Sequence, residues 1–66
     1  MTQKTLEEIA ADVERVFSLN DEGNSIKEIS SLLALEEDYI YSILVSRQGY
    51  SEDPLTVAHM IMMEME

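Results

Sequence analysis

A single histidine and two runs of acids are the residues of this sequence whose types could do chemistry. One run of acids is Glu7 and Glu8, and the other is Glu36, Glu37 and Asp38. Acid–base catalysis needs carboxyl groups in contrasting environments, and a metal site needs several converging ligands. His59 has no second histidine and no cysteine to join it. We therefore expect the acids to lie on solvated helix surfaces and His59 to be a partly buried packing residue of an apolar helix, with no metal bound.

The acidic turn at residues 20–24 has the composition of a calcium loop but not its spacing. If Gly23 is the sixth loop position, Ser18 and Ile29 occupy the first and twelfth, where calcium loops use carboxylates. No serine has a His and an Asp at a spacing that would indicate a catalytic triad. The sequence also has no glycine-rich phosphate-binding loop. The sequence therefore predicts a non-enzymatic protein without a cofactor.

The charge balance narrows the choice of partners. The 66 residues contain four Lys+Arg and fourteen Asp+Glu, a net charge of −10, and are 45% hydrophobic. That hydrophobic content is ample for a globular fold, whereas the charge repels nucleic acid and anionic membranes. Basic protein partners remain compatible with it. Because the chain is short and has no cysteine, its stability must come from tight helix packing or oligomerisation.

Targeting and membrane signals are not apparent in the sequence. The N-terminus is polar within six residues, and no stretch approaches the roughly 20 apolar residues of a membrane span. We therefore expect one cytoplasmic domain over residues 1–66.

Turn and capping signals divide the chain into four segments with helical spacing of apolar residues. Thr5 with Glu8, and Ser25 with Glu28, have the spacing of capping boxes, and Asp53 precedes a proline that suits a first helical position. Helices are predicted over residues 6–19, 25–34, 36–48 and 54–65. The predicted fold class is all-α.

The second and third helices show the spacing of a helix-turn-helix. A small residue, Ser30, allows close approach of the helices, Ala34 stands at the turn, and Leu35 fills the corner. The apolar positions of this frame are Ile26, Ile29, Leu33, Ile40 and Ile43. The frame resembles the helix-turn-helix family, including its sigma-factor and phage-regulator types, although that family usually has glycine where this chain has Ala34. With the first helix, the resemblance extends to a tri-helical domain, and an unrelated helical bundle is the alternative.

The resemblance implies a DNA-binding regulator whose helix 36–48 enters the major groove. Its outward positions would be Glu36, Glu37, Asp38, Tyr41, Ser42 and Val45, and its candidate nucleic-acid contacts are Lys27, Tyr41, Ser42 and Arg47. Bases are read mainly by Arg, Lys, Asn and Gln, and the first two turns of this helix contain none. DNA binding is therefore the alternative function, and an acidic decoy for the basic site of a DNA-binding protein is a third.

The last segment is apolar at eight of the eleven positions from 55 to 65. A helix with so many apolar residues is buried on more than one face, so it either closes the core or also forms an interface. We predict a homodimer or partner-docking surface formed by Leu55, Val57, Met60, Ile61, Met63 and Met65. Further aromatic anchors are expected at Tyr39, Tyr41 and Tyr50. The leading function is a protein-interaction module.

Overall fold

The structure, a computed structural model, describes residues 4–49 and 52–65 of the chain. In this part the regular structure is entirely helical, which confirms the predicted all-α class. The helices are α1 (Leu6–Asp21), α2 (Ile26–Leu33), α3 (Glu37–Gly49) and α4 (Pro54–Met65). Each end lies within two residues of the position that the sequence pattern indicates.

Side-chain caps begin three of the helices. The Thr5 hydroxyl accepts a hydrogen bond from the Glu8 amide at 3.1 Å, and the Glu8 carboxylate accepts one from the Thr5 amide at 2.8 Å. Ser25 and Glu28 repeat this arrangement at the start of α2. The Asp53 carboxylate accepts a hydrogen bond from the main-chain amide three residues later at 3.0 Å. Caps of this kind contribute about 1 kcal/mol each, so local sequence largely determines where these helices begin.

A glycine turn ends α1. Gly23 has a φ of +98°, a left-handed conformation that glycine adopts without steric cost. The Gly23 amide donates a hydrogen bond to the Asn20 carbonyl at 3.0 Å, and the Asn24 amide donates one to the Leu19 carbonyl at 3.1 Å. These bonds satisfy the last carbonyls of the helix and reverse the chain toward α2.

The turn between α2 and α3 is also left-handed, but at a residue with a side chain. Ala34 has φ 56° and ψ 41°, and its amide donates a hydrogen bond to the Ser30 carbonyl. The Leu35 amide donates to the same carbonyl at 3.2 Å, and the Ser30 hydroxyl donates to the Leu35 carbonyl. The turn is compatible with a helix-turn-helix-like arrangement of α2 and α3.

One core joins the four helices. It contains Ile9, Val13, Val16, Phe17, Ile29, Ile40, Ile43, Val57, Ala58 and Ile61, each at most 7% exposed. Within the described part of the chain, α1 contacts all three other helices, α4 packs mainly against α1, and α2 packs against α1 and α3. All four helices therefore contribute side chains to a single core.

Candidate interaction surfaces

The inward face of α4 belongs to the core. Val57, Ala58 and Ile61 are 0%, 0% and 2% exposed. The sequence pattern predicts Val57 and Ile61 on an interface, and the structure corrects this. Packing against α1 leaves almost no surface of either side chain for a partner. The interface predicted on α4 is thus reduced to the residues that point away from α1.

The outward face of α4 presents two large apolar side chains. Leu55 is 49% exposed and Met63 is 70% exposed, with His59 exposed between them. These three residues recur every four positions and so lie along one side of the helix; we call them the α4 outer face. Met60, also predicted on the interface, is half-buried, and the side chain of Met65 lies outside the described part of the chain.

A second exposed apolar pair lies on α3. Tyr41 and Val45 are 60% and 46% exposed, and their spacing of four residues places them one turn apart on the same side of the helix. Ile40 and Ile43 occupy the opposite, buried side. Ser42, a predicted nucleic-acid contact, is half-buried. Apolar residues therefore occur on both sides of α3.

Carboxylates border this pair at the start of α3. Glu37 and Asp38 are exposed in the first turn of the helix, and Glu36 is exposed just before it. We call Glu37, Asp38, Tyr41 and Val45 the α3 outer face. It combines an apolar centre with an acidic edge.

The only basic residue of α3, Arg47, is turned toward α1. Its Nη1 lies 3.0 Å from Asp21 Oδ1, and its Nη2 lies 3.6 Å from Glu52 Oε1. The guanidinium carbon is 4.5 Å from the centroid of the Phe17 ring, within range of a cation–π contact. The hydrogen bond to Asp21 raises the pKa of Arg47 above its ordinary value. Arg47 therefore joins α3 to the end of α1, and neighbouring carboxylates already occupy its guanidinium.

The four residues predicted to contact nucleic acid do not form one exposed basic surface. Lys27 is exposed in the first turn of α2, and Tyr41 is exposed on α3. Ser42 is half-buried, and Arg47 is paired with carboxylates. Of the two basic residues in this set, Arg47 is ion-paired, whereas Lys27 forms no ion pair within residues 4–49 and 52–65. Lys27 also lies on a different helix from Tyr41.

A polar cluster around Asp12, in the N-terminal half of α1, was not predicted from the sequence. Asp12 Oδ2 lies 2.6 Å from Lys4 Nζ and accepts a hydrogen bond from the Tyr39 hydroxyl at 2.9 Å. Lys4 Nζ also stands 4.9 Å from the centroid of the Tyr39 ring. Burial, and then the hydrogen bond to Asp12, raise the pKa of Tyr39 above its ordinary value. A signal was present in the sequence, since Asp12 lies three residues after Ile9 and four before Val16, on the buried side of α1.

This cluster changes the role expected for the tyrosines. Tyr39 is half-buried and uses its hydroxyl within the chain, so it attaches α3 to α1. Tyr41 is the exposed one of the two described tyrosines. Tyr50, the third predicted aromatic anchor, lies outside the described residues.

The residues considered for catalysis or metal binding do not form a site in the described part of the chain. His59 is exposed on α4, which corrects the expectation that its side chain is partly buried. Among residues 4–49 and 52–65, no three His, Asp or Glu side chains are grouped so that they could hold a metal ion. In the same part of the chain, no helix is both long enough and apolar enough to cross a membrane.

Comparisons of the chain with protein-family models, with curated proteins and with solved structures gave no match. Any functional conclusion therefore depends on the geometry of the chain itself.

Proposed function

We propose that the chain is a non-enzymatic protein-interaction module that associates with a second copy of itself through the α4 outer face. In this proposal α1–α3 form a tri-helical, helix-turn-helix-like unit, and α4 both closes its core and carries the contact. The observation that carries the proposal is the exposure of Leu55 and Met63 on a helix whose other side is buried.

The tri-helical part of the proposal is supported by the turn between α2 and α3. The left-handed Ala34 occupies the position where the helix-turn-helix family usually has glycine. Ser30, the small residue of the sequence frame, lies at this junction and bonds across it to Leu35. These features favour a steep, closely packed helix pair of the kind that the resemblance implies.

The absence of charged residues from the stretch of sequence that carries the α4 outer face supports a second copy of the chain as the partner that binds there. Two chains of net charge −10 repel each other, so they approach most easily where the surface is uncharged. Residues 54–63 form the longest stretch of the sequence without Asp, Glu, Lys or Arg, and they include the whole α4 outer face. Flexible methionine side chains also adapt readily to an apolar partner surface.

The experiment is a measurement of molecular mass in solution, by sedimentation, from low micromolar to millimolar protein. We expect the mass to rise with concentration toward that of two chains. Added salt should strengthen the association, because it screens the repulsion between the acidic chains. The double variant Leu55→Glu, Met63→Glu should remain a single chain at every concentration.

The matched control is Leu32→Glu, which places the same acid at an apolar residue on α2 that is 63% exposed. This control should associate nearly as well as the wild type, and circular dichroism should show equal helix content in all three proteins. A wild-type mass that stays at one chain throughout overturns the proposal. Loss of association in the Leu32→Glu control would instead show that added charge, and not the α4 outer face, is responsible.

DNA binding is the second candidate, and the geometry of the α2–α3 turn favours it. It predicts that the chain binds duplex DNA at low salt, that binding weakens as salt rises, and that Lys27→Ala weakens it further. The acids exposed at the start of α3 and the pairing of Arg47 oppose it. A DNA titration followed by NMR, run beside the mass measurement, distinguishes the two: chemical-shift changes in α2 and α3 support DNA binding, and their absence rejects it.

A further inference from the structure

The α3 outer face differs from the α4 outer face in carrying charge beside its apolar residues. Tyr41 and Val45 expose about half of their side chains or more, and the buried Ile40 and Ile43 fix the orientation of α3. Tyrosine is one of the residue types that contribute most to the energy of protein interfaces. The pair is therefore a rigidly presented apolar anchor on the surface of the chain.

The charge next to this anchor is of one sign. Glu37 and Asp38 are exposed one turn before Tyr41, and Glu36 is exposed beside them. The basic residue of the helix, Arg47, is held by Asp21 on the side that faces α1. A complementary partner surface would place apolar side chains against Tyr41 and Val45 and basic side chains against the neighbouring acids.

We propose that the α3 outer face binds a basic, amphipathic segment of a different protein. An aliphatic or aromatic side chain of that segment packs on Tyr41 and Val45, and its Lys or Arg side chains pair with Glu37 and Asp38. The inference rests on the proposed function in one respect, namely that the chain acts through protein contacts. It uses another face and another partner, so the two can fail separately.

Charge also favours this partner over the two alternative ligands for the α3 outer face, a second copy of the chain and duplex DNA. A second copy of the chain brings the same acids and no free cation from α3, so its approach to Glu37 and Asp38 is repelled. Duplex DNA brings phosphates and is repelled for the same reason. A basic protein segment is the occupant that gains from both the acidic edge and the apolar pair.

The test uses a synthetic peptide as the probe, titrated into the full chain labelled with nitrogen-15. The peptide is an amphipathic helix with leucines spaced by three and four residues on one side and lysines and arginines on the other. We expect chemical-shift changes concentrated on exposed residues of α3, with affinity that falls, but does not vanish, as salt is raised. A scrambled peptide of the same composition, which cannot gather its leucines on one side, should bind at least about tenfold more weakly.

Two sets of variants separate the apolar and the charged contributions. Tyr41→Ser and Val45→Ser should each weaken peptide binding by about tenfold, whereas Leu32→Ser, an equally exposed apolar position on α2, should leave it unchanged. Glu37→Gln with Asp38→Asn should weaken binding and reduce its dependence on salt. Glu14→Gln, an exposed acid of α1, is the matched control.

The inference is overturned if the peptide does not bind, or if the scrambled peptide binds equally well, because the attraction would then be non-specific. It is equally overturned if Tyr41→Ser and Val45→Ser have no effect in a folded chain, or if duplex DNA produces the same changes in α3. Peptide binding at α3 in a chain that never self-associates would reject only the proposal that the α4 outer face forms a homodimer contact. Self-association without peptide binding would reject only this inference.

Discussion

The hydroxyl of Ser30 donates a hydrogen bond to the main-chain carbonyl of Leu35, across the turn that joins α2 to α3. The chain between them passes through Ala34, which is held in the left-handed region at φ 56°. An alanine in this conformation brings its Cβ close to the following carbonyl. The contacts on either side of the turn therefore hold Ala34 in a strained conformation, and this strain leads to a first prediction.

Replacement of Ala34 by glycine should stabilise the chain. Removing the Cβ relieves the left-handed strain and should raise the free energy of unfolding by about 1 kcal/mol. The net gain is smaller, because glycine also increases the conformational entropy of the unfolded chain. Urea denaturation followed by circular dichroism measures the change. Ala11→Gly, in the middle of α1, is the matched control and should lower stability by about 1 kcal/mol. A loss of stability in Ala34→Gly would mean that the turn is not left-handed.

Replacement by alanine should affect stability differently at Gly23 and at Gly49. Gly23 has a φ of +98° and an added Cβ would meet nothing within 4 Å, so strain alone should lower stability by about 1 kcal/mol. Gly49, at the end of α3, also has open space but no positive φ. Gly49→Ala should therefore leave stability unchanged or raise it by a few tenths of a kcal/mol. Thermal denaturation of the two variants side by side tests the contrast, and equal effects would contradict it.

Local signals made the helices predictable, because a capping box involves residues only three apart. The Ser25–Glu28 pair forms the bonds that its spacing indicates. The division of α4 into inner and outer faces was not predictable in the same way. Eight of the twelve residues of α4 are apolar, so only its docking against α1 determines that Ile61 is buried and Met63 exposed.

The electrostatic partners were the least predictable part of the candidate sites. Arg47 was a reasonable phosphate contact when only its own helix was considered. Its carboxylate partner Asp21 lies 26 residues away in sequence, at the end of another helix. The same holds for Tyr39 and Asp12, which are 27 residues apart. Such pairs depend on how the helices cross, and a single sequence does not specify that angle.

The burial of Tyr39, together with its hydrogen bond to Asp12, should make stability depend on pH in the alkaline range. The pKa of Tyr39 is raised above its ordinary value of about 10 in the folded chain. The unfolded chain therefore loses this proton first, so the contribution is complete below about pH 10 and declines as pH rises further. Tyr39→Phe should cost about 1 kcal/mol at neutral pH.

The measurement is the difference in unfolding free energy between wild type and Tyr39→Phe, determined by urea titration at neutral pH and again above pH ~10. The difference should shrink at the higher pH, because the variant has no phenol to ionise. Titratable groups that contact neither Tyr39 nor Asp12 contribute equally to both proteins and cancel, and making the same comparison in a Lys4→Met background removes the lysine that contacts both. A difference that is constant with pH would show that the Tyr39 hydroxyl does not distinguish the folded from the unfolded chain.

Ile61 and Met63 provide a direct test of how α4 is oriented. Ile61 is 2% exposed and Met63 is 70% exposed, although both are long apolar residues in the same turn. Ile61→Ala removes buried methyl and methylene groups and should lower the free energy of unfolding by about 2–4 kcal/mol. Met63→Ala should change it by no more than about 0.5 kcal/mol, provided that the protein is dilute enough to exclude association. If Met63→Ala were instead the more destabilising of the two at low concentration, α4 would have to pack with its other face toward α1, and the α4 outer face would not exist.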